Sequence, residues 1–420
     1  MFKKKNETIA ADGTKQAAKN TFLLYLMTIA KLIFPLFTLP YLTRVLTTDS
    51  YGAVTYVKSY VSYVQLFVDF GFILSAVSDI IRAGDDKRKI GYITGHVILA
   101  KLLIGLAWLG ISFGVIYAVP ILRAYKLYTM LSVVGAVLTA LLADFLFRGI
   151  EKMHVVTVLF VTMRGIATAL TFVFVHGDGD LLWIPILEIV GVLAAVSVSF
   201  IFIAQYKIPI RICSLRVAFR MIRTSFIYFA SNIATTAFGA LNTFLIGIFI
   251  LDSEQIAFWG VAMQLITAVQ NLYAPIINGI YPQMIRSKSA KLIRNVLLLF
   301  MPIVLLGCLF CFFAAKWILL IVGGAKYIAA VPIFRYLLPI LFFSFPGMLF
   351  GWPTLGAIGH EKQVTVTTVT TAAIQVLGLF LLILFGQFTL INIALLRGAT
   401  ELFMLLFRMG LLIRNRRLLN

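Results

Sequence analysis

Four basic residues lie inside segments that are otherwise apolar and long enough to cross a membrane: Lys31, Lys58, Lys101 and Arg164. Lys31 and Lys101 each lie roughly 16 Å along the helix from its predicted start, which is close to mid-membrane. A lysine or arginine at the bilayer centre costs about 2.5–3.5 kcal/mol unless it pairs, snorkels or faces water. Four such residues would together cost on the order of 10–14 kcal/mol, as much as a whole protein's stability. We therefore predict that these cations face a hydrated cavity between helices, where they can bind an anionic ligand.

Fewer acidic residues lie in the same segments. Asp69 and Glu188 have no obvious local partner, so they are candidates for balancing a lysine across helices or for binding a coupling cation. Two further acids are spaced four residues from an arginine on the same helix and are predicted to form structural ion pairs: Asp144 with Arg148, and Glu401 with Arg397. In all, seven interior bases face four acids, an excess that favours an anionic ligand; the bases are Lys31, Lys58, Lys101, Arg148, Arg164, Arg335 and Arg397.

The second half of the chain has polar but mostly uncharged stripes on its apolar segments. Hydroxyl and amide side chains of this kind either hold helices together or present hydrogen-bonding groups to a ligand such as a glycan. The candidates for glycan-facing positions are Asn232, Asn242, Gln264 and Asn271.

Catalytic motifs are absent from the sequence, which has no GxSxG, HExxH or Walker A pattern. Cys308 and Cys311 form a CxxC without a second pair or a nearby histidine, so no metal site is expected. We predict a transporter rather than an enzyme, without a cofactor. Because no ATP-binding motif is present, the driving force is predicted to be an ion gradient, the membrane potential or the substrate's own gradient, and the choice between Na⁺ and H⁺ stays open.

The composition requires a membrane to solvate these segments. Of 420 residues, 61% are hydrophobic and only 12% are charged, about half the charged fraction of a soluble domain. The net charge of +20 does not indicate a nucleic-acid partner, because the basic residues punctuate the apolar segments rather than forming one patch. The predicted fold class is therefore an all-α polytopic membrane protein.

Twelve transmembrane helices are predicted by the charges, prolines and glycines that divide the apolar runs. Their approximate ranges are 20–46, 51–81, 90–118, 127–149, 153–176, 181–205, 224–250, 256–283, 292–316, 330–358, 363–386 and 389–412. The connecting segments on one side carry 24 basic residues and those on the other side carry 4, which places both termini in the cytoplasm by the positive-inside rule.

The longest and most basic internal connection, 206–223, follows the sixth helix and divides the chain into two halves. The predicted organisation is a basic cytoplasmic tail (1–19), an N-lobe of six helices (20–205), the basic inter-lobe segment (206–223), a C-lobe of six helices (224–412) and a cytoplasmic tail (413–420). The halves have the same predicted topology, as in transporters built from a parallel repeat.

Several motifs of the N-terminal part occur together in a known family. They are Phe34-Pro35-Leu36, Leu39-Pro40-Tyr41-Leu42-Thr43-Arg44-Val45-Leu46, Tyr51-Gly52, Asp69-Phe70-Gly71-Phe72 and Ser75-Ala76. Over roughly residues 15–90 the sequence resembles the bacterial polysaccharide repeat-unit flippases, the O-antigen and capsule exporters of the multidrug/oligosaccharidyl-lipid/polysaccharide superfamily.

This resemblance implies two six-helix lobes around a central cavity, as in the multidrug exporters of that superfamily. It implies that an oligosaccharide linked through diphosphate to undecaprenol is moved from the cytoplasmic to the outer leaflet of the bacterial inner membrane by alternating access. The family's basic cavity residues correspond by position to Lys31 and Lys58, and by analogy to Lys101 and Arg164. Lysine keeps the charge that many relatives supply with arginine, but it lacks bidentate phosphate geometry. The implied partners are the lipid-linked substrate, membrane lipid, a polysaccharide polymerase and a chain-length regulator.

Four other functions are weighed against a flippase of this kind. A multidrug or cation antiporter of the same superfamily would call for acids in the cavity, where bases are in excess. A lipid-linked peptidoglycan-precursor flippase is a further alternative, but that family usually has additional helices, which 420 residues do not accommodate. A polymerase or ligase that acts on the same glycan is expected to carry a large outer loop, whereas the loops here are short. A membrane scaffold would have no need of mid-membrane lysines.

Overall fold

The computed structural model describes residues 27–419, except the side chains of residues 227, 230–232, 234–238, 278 and 282. The predicted tail 1–19 and the beginning of the first helix lie outside the described residues, as does the side chain of Asn232. The described residues form helices joined by short turns and contain no strand.

Sixteen α-helices follow one another along the described chain. They are α1 (residues 27–45), α2 (Thr48–Asp69), α3 (Phe72–Ala83), α4 (Lys87–Ala118), α5 (Pro120–Ala124), α6 (Lys126–Leu138), α7 (Asp144–Gly149), α8 (Met153–Phe174), α9 (Trp183–Gln205), α10 (Leu215–Phe249), α11 (Ser253–Asn271), α12 (Tyr273–Ser287), α13 (Ala290–Gly323), α14 (Val331–Leu349), α15 (Glu361–Leu384) and α16 (Leu390–Arg414). Short 3₁₀ segments occur at Thr139–Leu141, Asp178–Asp180, Ala325–Ala330 and Arg416–Leu418, and a π-helical turn occurs at Phe350–Gly356.

Ten continuous helical segments among the described residues are long and apolar enough to cross a membrane. The other two of the twelve predicted segments correspond to α1, described only from residue 27, and α10, several of whose side chains are outside the described residues. The predicted fold class, an all-α polytopic membrane protein, is confirmed.

Two predicted single helices are interrupted in the structure. The segment 51–81 breaks between α2 and α3 at Phe70 and Gly71, where φ is 39° and 73°. Glycine is required at the second position because a Cβ there would lie 2.7 Å from the Cβ of Tyr228. The segment 127–149 breaks between α6 and α7, with Thr139 beginning a 3₁₀ turn. Asp69 ends α2 and Asp144 begins α7, so each interruption places a carboxylate at a helix end.

The chain forms two compact units. The first contains residues 27–38, Val61–Ala118 and Leu122–Asn232; the second contains Leu39–Tyr60, Val119–Ile121 and the residues from Ile233 onward. Leu39–Tyr60, part of the predicted N-lobe, belongs to the second unit, and the division into two six-helix lobes stays a prediction. Within the second unit this part packs closely: a Cβ at Gly52 would lie 1.9 Å from the Ser253 carbonyl oxygen.

The basic segment 206–223, predicted as a connection between lobes, is partly held against α4. The backbone N–H of Arg211 donates to the Gly91 carbonyl oxygen at 3.3 Å. The buried His96 accepts at Nε2 from the backbone N–H groups of Cys213 and Ser214, at 3.2 and 3.3 Å. His96 is therefore a structural residue within the first unit.

Helix α4, which carries Lys101, is fixed at its beginning by Asp86. This carboxylate accepts from the backbone N–H groups of Arg88 and Lys89 at 3.0 and 3.1 Å. The backbone hydrogen bond from Lys89 is the main cause that lowers the pKa of Asp86 below its ordinary value. The cap is therefore fully present above the ordinary aspartate pKa and is lost as pH falls through the lowered value.

A buried arginine that the sequence analysis did not single out holds the π-helical turn. Arg408 on α16 is 6% exposed, and its guanidinium donates to the Gly347 carbonyl oxygen and to the hydroxyls of Thr367 and Thr368, at 2.8, 3.1 and 2.9 Å. These three bonds fix the end of α14 against α15, at a place where the prolines of this segment weaken helical hydrogen bonding.

Replacing Arg408 by lysine is expected to destabilise the protein by about 1.5–3 kcal/mol. An ammonium keeps the charge but cannot reach three acceptors as the planar guanidinium does. The change in the free energy of unfolding, or in the melting temperature in detergent, measures this effect. The matched control is Arg414→Lys in the exposed last turn of the same helix, which should stay within about 0.5 kcal/mol of the wild type. Equal stability of the two variants would contradict a clamping role for Arg408.

Candidate functional site

A cavity of about 460 Å³ lies within the first unit. Residues from α1, α2, α3, α4, α6, α7, α8 and α9 line it, together with the 3₁₀ turn after α6. It collects most of the charged residues that the sequence predicts to be inside the membrane: Lys31, Asp69, Lys101, Asp144, Arg148, Arg164 and Glu188. Four bases and three acids give the cavity a formal net charge of +1.

The most buried ion pair of the cavity joins Lys101 to Asp69. The Lys101 Nζ lies 3.0 Å from the Asp69 Oδ1, and the two side chains are 3% and 30% exposed. The other carboxylate oxygen accepts from the Gln65 Nε2 at 3.1 Å, and Gln65 also contacts the Thr139 hydroxyl at 2.9 Å. Asp69, which had no obvious partner in the sequence, is thus bound on both oxygens. The chain of contacts links α2, α4 and the turn after α6.

The pair Asp144 and Arg148 forms on α7, with 3.4 Å between the Asp144 Oδ2 and the Arg148 Nε. Both side chains line the cavity and are about a quarter exposed. Asp144 also acts electrostatically on Lys31 and Lys101. This pair was predicted as a structural ion pair. Because both residues line the cavity, they also contribute to its electrostatic potential.

Glu188 on α9 pairs with Arg164 on α8, with 3.4 Å between the Oε1 and the Nη1. The side chains are 44% and 46% exposed, so the pair contributes about 0–1 kcal/mol to stability. Because the contact is exposed and long, Arg164 can exchange the Glu188 carboxylate for another anion at a small cost in free energy. Arg164 is therefore available to an incoming ligand in a way that the buried Lys101 is not.

Replacing Glu188 by glutamine is expected to leave stability within about 1 kcal/mol of the wild type and to tighten the binding of the diphosphate ligand that the family resemblance implies. The change releases Arg164 and raises the cavity charge by one. Equilibrium binding of undecaprenyl diphosphate to the purified variant measures the effect. Glu361→Gln, at the exposed beginning of α15, is the matched control. Weaker binding by Glu188→Gln than by this control would show that Glu188 itself contacts the ligand.

Lys31 differs from the other bases of the cavity. Within the part of the chain that the structure describes, no carboxylate lies within 4.0 Å of its Nζ, whereas Lys101, Arg148 and Arg164 each have one. Its ammonium lies 5.6 Å from the centroid of the Phe160 ring, in a cation–π contact. Sequence reasoning missed Phe160, although it precedes Arg164 by four residues and so shares its helical face.

Lys58 is not among the residues that line this cavity, so the structure does not join it to Lys31, Lys101 and Arg164. It lies eleven residues before Asp69 on α2, roughly 16 Å along the helix, and belongs to the other compact unit. The polar residues of α2 therefore have different surroundings. Gln65 and Asp69 line the cavity, whereas Thr55 contacts Gly260 in the second unit.

Three of the glycan-facing candidates, Asn242, Gln264 and Asn271, are described and are not among the residues that line this cavity. Asn242 is fully buried and accepts from the Gln375 Nε2 at 2.9 Å, and the Gln375 Oε1 accepts from the Thr400 hydroxyl at 2.8 Å. Gln264 accepts a long hydrogen bond of 3.5 Å from the Tyr51 hydroxyl, and Asn271 is exposed. Asn232 is outside the described side chains.

The second predicted structural pair, Arg397 and Glu401, is buried in the second unit. The Arg397 Nη2 lies 2.7 Å from the Glu401 Oε1, and the two side chains are 8% and 5% exposed. Thr400 links this pair to the hydrogen-bonded amides, because its hydroxyl also donates to the Arg397 carbonyl oxygen at 3.0 Å. The residues form a polar network inside the unit and do not line the cavity described above.

Comparison with known proteins places the chain in a family. Residues 17–288 match the model of a family described as polysaccharide biosynthesis protein. A putative O-antigen transporter of Shigella dysenteriae is 26% identical over 268 residues, which cover 63% of this chain and 67% of that protein. A putative O-antigen transporter of Escherichia coli K12 is 23% identical over 361 residues, which cover 83% and 85% of the two chains.

Two solved structures share the fold. An inward-facing multidrug resistance transporter of the MATE family has a TM-score of 0.71 at 12% identity and covers 93% of this chain and 99% of its own. The lipid II flippase MurJ in an inward closed conformation has a TM-score of 0.67 at 14% identity, with coverages of 94% and 87%. At these identities the likeness concerns the fold alone.

The resemblance seen in residues 15–90 therefore extends over most of the chain, and the names of both relatives agree with a membrane transporter rather than an enzyme. Cavity, fold and sequence are consistent with one another: an all-α membrane protein with charged residues gathered inside one of its compact units. The chain belongs to the polysaccharide biosynthesis protein family, as the N-terminal motifs predicted.

Proposed function

We propose that this protein is a flippase that moves undecaprenyl-diphosphate-linked oligosaccharide repeat units from the cytoplasmic to the outer leaflet for the assembly of surface polysaccharide. The family, the two O-antigen transporters and the fold shared with a lipid II flippase support a lipid-linked glycan as the substrate. The diphosphate linkage is the chemical feature that the charged cavity is suited to bind.

The observation that carries this proposal is that Lys31, unlike the other three bases of the cavity, has no acidic partner among the described residues. It is an exposed cation that lines the cavity and has no carboxylate within 4.0 Å among the described residues. An ammonium inside a membrane gains most from an anionic partner, because an unpaired charge there is costly. In the proposed complex the diphosphate supplies that partner, and Phe160 keeps the ammonium in position in its absence.

The remaining bases have graded roles in this proposal. Arg164 can exchange its exposed contact with Glu188 for a phosphate oxygen, which a guanidinium binds in a bidentate manner. Lys101 stays paired with Asp69 and sets the electrostatic potential of the cavity. Gln65 and Thr139 offer amide and hydroxyl groups to the first sugar of the oligosaccharide. Lys58, Asn242, Gln264 and Asn271 do not line this cavity, so their roles in binding the substrate stay predictions.

Several further features belong to the same proposal. Movement of the ligand is expected to proceed by alternating access of two lobes, in the inner membrane of a bacterium, with both termini in the cytoplasm. A Na⁺ or H⁺ gradient is the proposed driving force. A polysaccharide polymerase and a chain-length regulator are the proposed partners, because they would use the product on the far side of the membrane.

A second function, export of cationic drugs, is favoured by two observations. Three acids line the cavity, and the fold is shared with a multidrug resistance transporter. Against this function, Asp69, Asp144 and Glu188 are each already paired with a base. A cationic ligand would have to displace these bases, whereas an anionic ligand meets Lys31 without such competition.

Translocation in proteoliposomes that contain only this protein tests the proposal. A fluorescent undecaprenyl-diphosphate oligosaccharide is incorporated, and its appearance in the opposite leaflet is followed with and without Na⁺ or H⁺ gradients. The expected result is protein-dependent translocation, with the gradient dependence identifying the driving force. No translocation of the glycolipid, together with efflux of a cationic dye from the same vesicles, would replace this function by the antiporter.

A further inference from the structure

A second cavity, of about 360 Å³, lies in the second unit where the beginning of α13 meets the π-helical turn and the end of α16. Its lining is apolar and includes Ile293, Leu297 and Leu298 from α13, with Phe350, Leu412 and Leu419. One charged side chain, Arg294, is among the lining residues. This groove, hereafter the α13 groove, is separate from the charged cavity of the first unit.

The α13 groove is positioned to open onto the hydrocarbon of the bilayer. Helix α13 spans the membrane by length and composition, and only 6% of its most apolar window is buried inside the protein. Leu298, in the groove, is 64% exposed, and its neighbours Leu299 and Ile303 are 62% and 57% exposed. Side chains of this type at these positions contact lipid chains, so an acyl chain can enter the groove from the membrane without crossing water.

The two stretches of chain that contribute most of the groove's lining are strongly basic. Residues 286–298 and 411–419 contain no acidic residue and seven basic ones: Arg286, Lys288, Lys291, Arg294, Arg414, Arg416 and Arg417. The beginning of α13 adds a partial positive charge from its free N–H groups, only one of which is capped, by the Ser289 hydroxyl. These seven basic residues, hereafter the basic cluster, together with the apolar walls of the groove, match a molecule that has an acyl chain and an anionic headgroup.

We propose that the α13 groove binds one anionic phospholipid, with an acyl chain along the α13 and Phe350 walls and the phosphate beside Arg294. The charge of the basic cluster selects an anionic over a zwitterionic headgroup, and anionic lipids are enriched on the cytoplasmic side, where these residues are predicted to lie. A soluble anion would leave the apolar walls unfilled. The proposal does not depend on the substrate that the protein transports.

Mass spectrometry that preserves bound lipids tests this site on the full purified chain in detergent. The protein is titrated with phosphatidylglycerol or with phosphatidylcholine of the same acyl chains. We expect preferential retention of phosphatidylglycerol, and on the order of a fivefold loss of that preference in Arg294→Gln, the factor that one cation at a membrane surface contributes. Lys362→Gln, which removes an exposed base outside both the groove and the basic cluster, should keep the preference.

A second variant tests the apolar part of the groove. Ala290 is exposed and lines the groove, so Ala290→Phe should fill it without disturbing the core and should lower retention of both lipids. An unchanged lipid preference in Arg294→Gln would overturn the proposal. Displacement of phosphatidylglycerol by inorganic phosphate alone would indicate a soluble-anion site, and displacement by undecaprenyl phosphate at much lower concentration would assign the groove to a polyprenyl lipid instead.

Discussion

Lys31→Ala is expected to reduce translocation of an undecaprenyl-diphosphate oligosaccharide by roughly 10- to 100-fold at normal protein abundance. A hydrogen bond to a charged group contributes about 1.5–3 kcal/mol, and Lys31 is the cavity base without a carboxylate partner among the described residues. Lys31→Arg keeps the charge and should retain part of the activity. Export of surface polysaccharide in cells, or translocation in proteoliposomes, measures the effect.

Lys58→Ala is the most informative control for this result. The family resemblance alone predicts equal losses for the two lysines, whereas the cavity contains Lys31 and not Lys58. The structure therefore predicts a distinctly smaller effect for Lys58→Ala. Equal loss in both variants would show that the cavity of the first unit is not the whole binding site, and normal activity of Lys31→Ala would remove the cationic mechanism.

Asp69→Asn is expected to destabilise the protein by about 3 kcal/mol. The change leaves the ammonium of Lys101, 3% exposed, without the carboxylate that lies 3.0 Å away. Breaking a buried pair from one side costs about 3–5 kcal/mol, and the lower end applies because Asp69 is 30% exposed. The melting temperature of the purified protein in detergent, with protein abundance in the membrane, measures the loss.

The double variant Asp69→Asn with Lys101→Met separates charge from packing. It removes both charges and leaves an amide that can still contact Gln65, so most of the lost stability should return. If the double variant is as unstable as the sum of the two single variants, the residues do not act as a pair. If stability is restored, the transport rate of the double variant measures the effect of the Lys101 charge on transport separately from its effect on folding.

The fold could be predicted from the sequence to a large extent because the membrane imposes simple rules. Apolar segments of about 20 residues, punctuated by charges, predicted twelve helices, and ten described segments satisfy the length and composition of a span. The interruptions at Gly71 and after Leu138 were not predicted. Neither interruption changes the mean hydropathy of its segment, so hydropathy does not reveal it. The close approach of Tyr228 to Gly71 joins residues far apart in the sequence and exists only in the folded protein.

The candidate site was predicted in part. Mid-membrane charges are costly enough to indicate a common cavity, and seven of the interior charges that the sequence singled out line one cavity. Their pairing across helices could not be predicted, because helical periodicity orders residues on one helix only. For the same reason the position of Lys58 relative to this cavity could not be predicted, and Arg408, near a predicted helix end, was not counted among the interior bases.

The most direct test of the central claim is equilibrium binding of undecaprenyl diphosphate and of uncharged undecaprenol to the purified protein and to Lys31→Gln. We expect the wild type to bind undecaprenyl diphosphate at least about tenfold more tightly than undecaprenol. Lys31→Gln should lose most of this difference in affinity and should bind undecaprenol as tightly as the wild type does. The same preference for the diphosphate in both proteins would contradict a cavity in which Lys31 binds the anionic linkage.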